Sequence, residues 1–351
     1  MKSWEKNIRR VEPYVPGEQP QGKDIIKLNT NENPYPPAPG VGKVLKGNIA
    51  DRLRLYPDPT IGSLVEAIAD YQGLDGDQVF VGVGSDDVIA LAYLTFFNSS
   101  KPILFPDITY SFYDVWANLF KIPYKQIELD KNLRIRKEDY CIENGGIIIA
   151  NPNAPTSIYE DLDTIRYILD KNQDSIVIID EAYIDFGGKS AIELIKDYEN
   201  LLVIQTFSKS RAMAGMRIGY AMGSKTLIRA LNDVKYSFNS YTLNLPSILC
   251  GVESIKDDEY FRETVEKIKI TRDKTMKELE ALGFSFPKSM ANFIFAKHKE
   301  VSGLKIYEEL RKRNIYVRHF NKPKISNYVR ITIGTDREME VLIQSLKEII
   351  G

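Results

Sequence analysis

Residues 175–183 read Ser-Ile-Val-Ile-Ile-Asp-Glu-Ala-Tyr, an unbroken β-branched run ending in two carboxylates. A continuous apolar run of this length suits a strand buried on both faces, as in a parallel sheet covered by helices. The acid that closes it, Asp180, then stands at the carboxyl edge of the sheet, where open α/β folds bind ligands. There it can pair with a cationic ring nitrogen, hold a metal or cap the next helix. A second run of the same texture, 201–205, leads into Thr206-Phe207-Ser208-Lys209-Ser210. Lys209 therefore reaches the same edge, where partial burial disfavours an ammonium and frees an amine nucleophile.

Working outward, further strands are expected at 79–83, 103–105 and 147–150, with helices near 63–71, 112–119 and 162–171 among them. This alternation implies an α/β fold with a mostly parallel sheet flanked by helices. Other strand ends carry chemistry too. Arg217, in Ala214-Gly215-Met216-Arg217-Ile218-Gly219, lies eight residues beyond Lys209, and with Ser208 it suggests a phosphate pocket beside the amine. A guanidinium suits phosphate because its planar fork donates two parallel hydrogen bonds. The turn Gly82-Val83-Gly84-Ser85-Asp86 offers backbone amides and a helix start to the same anion, with Ser85 and Asp86 as the expected caps. It lacks the third glycine of a dinucleotide fingerprint and the Gly-Lys-Ser/Thr of a P-loop. Asn151-Pro152-Asn153-Ala154-Pro155-Thr156 forms a stiff loop after the strand at 147–150, with X-Pro bonds that can be cis.

Composition narrows the rest. The 351 residues carry 47 Lys plus Arg against 48 Asp plus Glu, a net charge of −1, so no general electrostatic pull toward nucleic acid or an anionic membrane is expected. Two cysteines cannot build a disulfide framework, and two histidines argue against a His-rich metal site. Residues 1–10 are charged and lack the apolar core of a signal peptide, and no apolar run is long enough to span a bilayer. A cytoplasmic protein is expected.

Three parts are expected: an N-terminal arm (1–40), a large domain (41–240) and a smaller α+β domain (241–351). The arm ends in Asn-Pro-Tyr-Pro-Pro-Ala-Pro-Gly, whose four prolines favour extended chain over helix. Beyond 240 a charged helical region at 256–282 precedes a strand at 293–296, a helix ending near 313, strands at 315–320 and 328–333, and a last helix.

Taken together, a carboxylate, a lysine, an arginine, a Gly-Ser turn and an Asn-Pro loop on one sheet edge match a phosphorylated, cationic, aldehyde-bearing ring: pyridoxal 5′-phosphate. The chain resembles the fold-type I pyridoxal-phosphate aminotransferases over nearly its whole length. The resemblance rests on an ordered series: Asn31-Glu32-Asn33-Pro34, Tyr56-Pro57-Asp58, Gly84-Ser85-Asp86-Asp87, Thr109-Tyr110-Ser111-Phe112-Tyr113, the loop at 151–156, Asp180-Glu181-Ala182-Tyr183, Phe207-Ser208-Lys209, Arg217 and Val329-Arg330-Ile331-Thr332.

That resemblance implies roles. Lys209 would attach the cofactor covalently and carry the proton, Asp180 would face the ring nitrogen, and Tyr183 would bond the ring's phenolate oxygen. Tyr110 would stack on the ring. Ser208, Arg217 and the amides of Ser85 and Asp86 would hold the phosphate, joined by Tyr56 from a second subunit of a homodimer. Arg330, Arg318 and Tyr14 would bind substrate. The implied reaction is amino transfer between histidinol phosphate and 2-oxoglutarate in histidine biosynthesis. An aromatic or broad-specificity aminotransferase, a phosphothreonine decarboxylase and a non-enzymatic regulator that kept the cofactor are the alternatives. One departure stands out. Where the family carries an asparagine before the second proline of the loop, this chain has Ala154, leaving Asn153 to take over the ring contact or Tyr183 to serve alone.

Overall fold

The computed structural model describes residues 2–22 and 24–351. The arm contributes β1 (Ile26–Lys27) and is followed by α1 (Pro39–Lys46) and α2 (Gly62–Gln72). Among the described residues, a seven-stranded sheet then forms from β2 (Val79–Gly82), β3 (Ile103–Pro106), β4 (Tyr124–Ile127), β5 (Gly146–Ala150), β6 (Val177–Asp180), β7 (Leu201–Thr206) and β8 (Gly219–Gly223). Its helices are α3 (Gly84–Phe96), α4 (Tyr113–Phe120), α5 (Leu162–Lys171) and α6 (Lys225–Phe238). The strand order is β2-β8-β7-β6-β5-β3-β4, with β8 antiparallel to both neighbours and the other pairings parallel.

Side-chain alternation along the central strands explains why both faces are covered. Ile147, Ile149, Val177, Ile179, Leu201 and Val203 join one core with Ile165 and Leu169 of α5. Their neighbours Ile148, Ile178, Leu202 and Ile204 join another core with Val88 of α3 and Trp116 of α4. Period two along a strand sends successive residues to opposite faces, so a run apolar at every position needs a layer on each side.

Helix α7 (Leu245–Lys256) still packs into the large body's core; the second body comprises α8 (Asp258–Ala281), β9 (Phe284–Ser285), β10 (Phe293–His298), α9 (Gly303–Lys312), β11 (Ile315–Tyr316), β12 (Arg318–His319), β13 (Val329–Thr332) and α10 (Asp336–Ile350). Strands β12-β13-β10-β9 form an antiparallel sheet, while β11 pairs in parallel with β1 of the arm. The arm is thereby stitched to the second body: Leu28 belongs to its core.

Several expectations need correction. Helix α1 starts inside the proline-rich stretch, because Pro39 occupies its first position, where the missing N–H costs nothing. The charged region at 256–282 is preceded by a separate helix, α7, and the break falls at Asp257, whose side chain accepts from the Tyr260 amide. Ile248, Cys250 and Ile255 of α7 sit in the core of the large body. The strand at 315–320 is two strands in different sheets.

Candidate active site

The carboxyl edge of the sheet gathers the expected residues. Strand β6 ends at Asp180, which is 5% exposed. Its Oδ2 accepts from the Tyr113 hydroxyl at 2.8 Å and its Oδ1 from the Ala182 amide at 3.2 Å. Burial pushes its carboxyl up to about 6, against the opposing pull of these two donors and of the Lys209 charge. A buried acid with this much desolvation to recover is suited to a cationic partner.

Just past β7, Lys209 extends from a tight turn to the Thr30 carbonyl at 3.1 Å, and its Nζ stands 5.9 Å from the centre of the Tyr183 ring. Asn33 of the arm clamps that turn, donating to the carbonyls of Lys209 and Ser210 at 3.1 and 3.0 Å.

The anion cradle lies beside it. Gly82 and Thr206 both register with Gly219, so β2, β7 and β8 bring their ends together. Helix α3 starts at Gly84 after Val83, placing Ser85 and Asp86 in its first turn; neither is the cap, contrary to expectation. Asp87 instead accepts the Val83 amide at 2.9 Å. First-turn amides point outward unpaired, which suits an anion. Arg217 donates to Ser208 Oγ at 3.4 Å and pairs with Asp86 at 3.3 Å, and Tyr110 donates to the other Asp86 oxygen at 2.8 Å. Two glycines make the approach possible: a Cβ on Gly84 would stand 2.5 Å from Arg217 Nη2, and one on Gly219 would stand 2.2 Å from the Ser85 amide nitrogen.

Two adjoining cavities of about 170 and 160 Å³ share Thr30, Tyr110, Ala154, Tyr183 and Lys209. The inner one adds Ser85, Asp86, Asp180, Ser208 and Arg217. The outer one adds Tyr14, Arg318, Lys322 and Arg330. Arg318 and Arg330 face each other in the β12–β13 register. Arg330 is bonded to the Asn29 carbonyl at 2.8 Å and lies 5.3 Å from the Phe293 ring centre; burial works against its charge. Tyr14 stacks on Phe112 at 4.1 Å.

One expected residue, Asn153, is not brought in, and Tyr56, expected from a second subunit, lies away from the site of its own chain. Asn153 lines neither cavity: its amide donates to the Ile108 carbonyl at 2.9 Å and Thr156 Oγ1 at 3.0 Å, and its oxygen accepts from Thr109 at 2.8 Å. Both of its N–H donors are thus committed, tying to residue 108 a loop whose Asn151-Pro152 and Ala154-Pro155 bonds are both cis. Tyr56 is 81% exposed, lies tilted against Tyr241 with ring centres 4.6 Å apart and lines neither cavity of its own chain. Conversely, sequence reasoning gave no role to Asn31, Asn33, Tyr113 or Lys322. The first three lie within motifs already singled out, so their position in those motifs was the available signal.

Residues 23–346 match the family model for aminotransferase class I and II, and the chain belongs to that family. Its sequence is 52% identical over 350 residues to the histidinol-phosphate aminotransferase of Clostridium botulinum (strain Langeland), covering 100% of this chain and 99% of the relative. Among solved structures, histidinol-phosphate aminotransferase from Clostridium acetobutylicum superposes with a TM-score of 0.85 at 26% identity, covering 93% of this chain and 99% of the other. The Sinorhizobium meliloti histidinol-phosphate aminotransferase in complex with pyridoxal-5′-phosphate also gives 0.85, at 20% identity, covering 93% and 90% of the two chains.

Proposed function

We propose that this chain is a pyridoxal-phosphate-dependent transaminase that exchanges the amino group between histidinol phosphate and 2-oxoglutarate, making histidinol phosphate and 2-oxoglutarate from imidazole-acetol phosphate and glutamate in the biosynthetic direction. The observation that carries the reading is the placement of Asp180, Lys209 and the Arg217 cradle around one cavity, continuous with a second cavity rich in cations.

The donor set fits the cofactor. A dianionic phosphate suits Arg217, Ser208 and the first-turn amides of α3, and a protonated ring nitrogen suits the buried Asp180 carboxylate. When bound, the ring supplies an electron sink for the charge that develops at the substrate carbon. The protein does the rest. Asp180, fixed by Tyr113 and the Ala182 amide, holds a negative charge where the ring nitrogen must stay protonated. The Lys209 amine is positioned to attach the cofactor and to move a proton at the substrate carbon. In the outer cavity Arg318 and Arg330 bind and orient an anionic substrate group, and Tyr14 on the arm shields it from water.

Assembly as a homodimer is part of the proposal. Leu53, Leu55, Tyr56, Phe238 and Tyr241 are all exposed apolar or aromatic side chains, an unusual concentration for a free surface. Burial against a second copy would let Tyr56 serve the partner's phosphate cradle. A cytoplasmic location goes with this reading and with the absence, among the described residues, of any helix long and apolar enough to cross a membrane.

The test is a comparison of amino transfer from histidinol phosphate, phenylalanine and tyrosine, in wild type and Arg318→Ala. The proposal expects histidinol phosphate to be preferred and Arg318→Ala to depress that substrate selectively. Equal use of the aromatic amino acids would select a broad-specificity enzyme instead.

A further inference from the structure

We propose that Asn31, on the N-terminal arm, is a positioning residue for the Tyr183 hydroxyl and makes up for the missing asparagine at position 154. The inference rests on the pyridoxal-phosphate reading above and concerns how this chain controls the ring oxygen of that cofactor.

Ala154 lines both cavities at the point where the family resemblance places an amide, and a methyl group cannot donate a hydrogen bond. Asn153 cannot substitute, since its amide is spent on Ile108, Thr156 and Thr109. That leaves Tyr183 with a larger share of the task. Its hydroxyl oxygen accepts from Asn31 Nδ2 at 2.9 Å. An amide nitrogen can only donate, so the phenol's single proton remains for another acceptor. The arrangement aims that proton rather than consuming it.

Asn31 is itself held on every side. Its Oδ1 accepts from Thr332 Oγ1 at 3.0 Å, its amide N–H donates to the same hydroxyl at 3.0 Å, and its carbonyl accepts from Asn292 Nδ2 at 3.0 Å. The residue is 1% exposed, with a left-handed backbone at φ 57°, a conformation asparagine tolerates better than most side chains. The Thr332 hydroxyl facing Oδ1 keeps Nδ2 turned toward Tyr183. A buried polar side chain this fully paired is rigid, and the side chain to which Nδ2 donates, Tyr183, belongs to the cavity wall.

A hydroxyl proton aimed at an anionic ring oxygen favours the deprotonated state of the lysine-bound cofactor. Loss of Asn31 frees Tyr183 to turn, so the pH midpoint of the cofactor's absorbance change moves up. The experiment titrates that absorbance in pyridoxal-phosphate-loaded wild type, Asn31→Ala, Asn31→Asp, Ala154→Asn and Tyr183→Phe, with thermal melting to confirm that each is folded. Asn31→Ala should raise the midpoint by about 0.5–1 pH unit, the scale of one ordinary hydrogen bond. Asn31→Asp, nearly isosteric, should raise it further, because a carboxylate accepts the Tyr183 proton. Adding Ala154→Asn to Asn31→Ala should restore the wild-type midpoint. In the Tyr183→Phe background, Asn31→Ala should have no further effect. A merely structural Asn31 would shift both backgrounds alike, and that result overturns the proposal. So does a folded Asn31→Ala protein whose midpoint equals that of wild type. A wild-type protein that takes up no pyridoxal phosphate overturns the functional reading together with this one, whereas an unchanged midpoint in a loaded, active variant overturns this one alone.

Discussion

The hydroxyl of Tyr113, fully buried at the start of α4, donates to Asp180 Oδ2 at 2.8 Å across the top of the sheet. This bond fixes the carboxylate's direction without neutralising it, and burial still raises the Asp180 carboxyl from 3.8 to about 6. Because the folded-state value is raised, the proton on Asp180 favours the fold below about pH 4, and that contribution is lost as pH climbs through 6. Above pH 6 the cofactor-free protein carries a buried, unneutralised charge worth about 3 kcal/mol against it.

Asp180→Asn should therefore melt at a higher temperature than wild type in the cofactor-free form above pH 6, with the difference shrinking toward pH 4. In the loaded form the same substitution should slow amino transfer by about 10²–10³-fold, the usual scale for removing one preorganised charge. Melting curves at several pH values and steady-state kcat check the two halves separately. Glu181 is also pushed up, to about 7, but faces Ser190 and Gln205 and is common to both proteins.

Gly219→Ala should weaken retention of the phosphorylated cofactor by at least about tenfold, since the new methyl would drive the first turn of α3 away from Arg217. The cofactor dissociation constant by equilibrium dialysis reads this directly. Gly215→Ala, where a Cβ meets nothing within 4 Å, is the control and should bind normally.

The buried Arg211, directly after the lysine turn, is sandwiched with its guanidinium 4.2 Å from the Phe261 ring centre and 4.9 Å from that of Tyr71, and it donates to the Ser254 carbonyl at 2.7 Å. Lysine can neither stack as a plane nor keep that fork, so Arg211→Lys should cost about 2 kcal/mol of stability. Its neighbour Ala212 has φ 56°, a left-handed conformation that costs alanine about 1 kcal/mol. Ala212→Gly should be neutral or slightly stabilising. Urea unfolding of the loaded protein, with m-values compared, distinguishes the two.

Arg318 and Arg330 stand opposite each other and, without an anion, repel. With the cofactor cradle already filled, added inorganic phosphate should raise the melting temperature of wild type in a saturable way and leave Arg318→Ala unmoved. Sulfate in place of phosphate should do the same.

How much of this was legible beforehand depended on whether the cause was local. Strands β5, β6 and β7 are runs of Ile, Val and Leu, and Asp180 and Lys209 follow from where those runs stop. The antiparallel β8, Gly-Tyr-Ala-Met-Gly, has no such run, because two glycines serve close packing rather than apolar content. Edge strand β4, Tyr-Lys-Gln-Ile, is exposed at three of its four positions and so carries no core signal. For Asn31 the sequence offers only its place in the Asn-Glu-Asn-Pro motif and not its role: its partners at 183, 292 and 332 are distant in the chain and meet only once the arm is paired with the second body. The same holds for Asn153, which reads as a cavity residue and is instead turned into its own loop.

The most direct measurement is borohydride reduction of the purified, pyridoxal-phosphate-loaded protein followed by peptide mapping. The account predicts a single pyridoxyl adduct, on Lys209, absent from Lys209→Ala. An adduct on another lysine, or none, would contradict it.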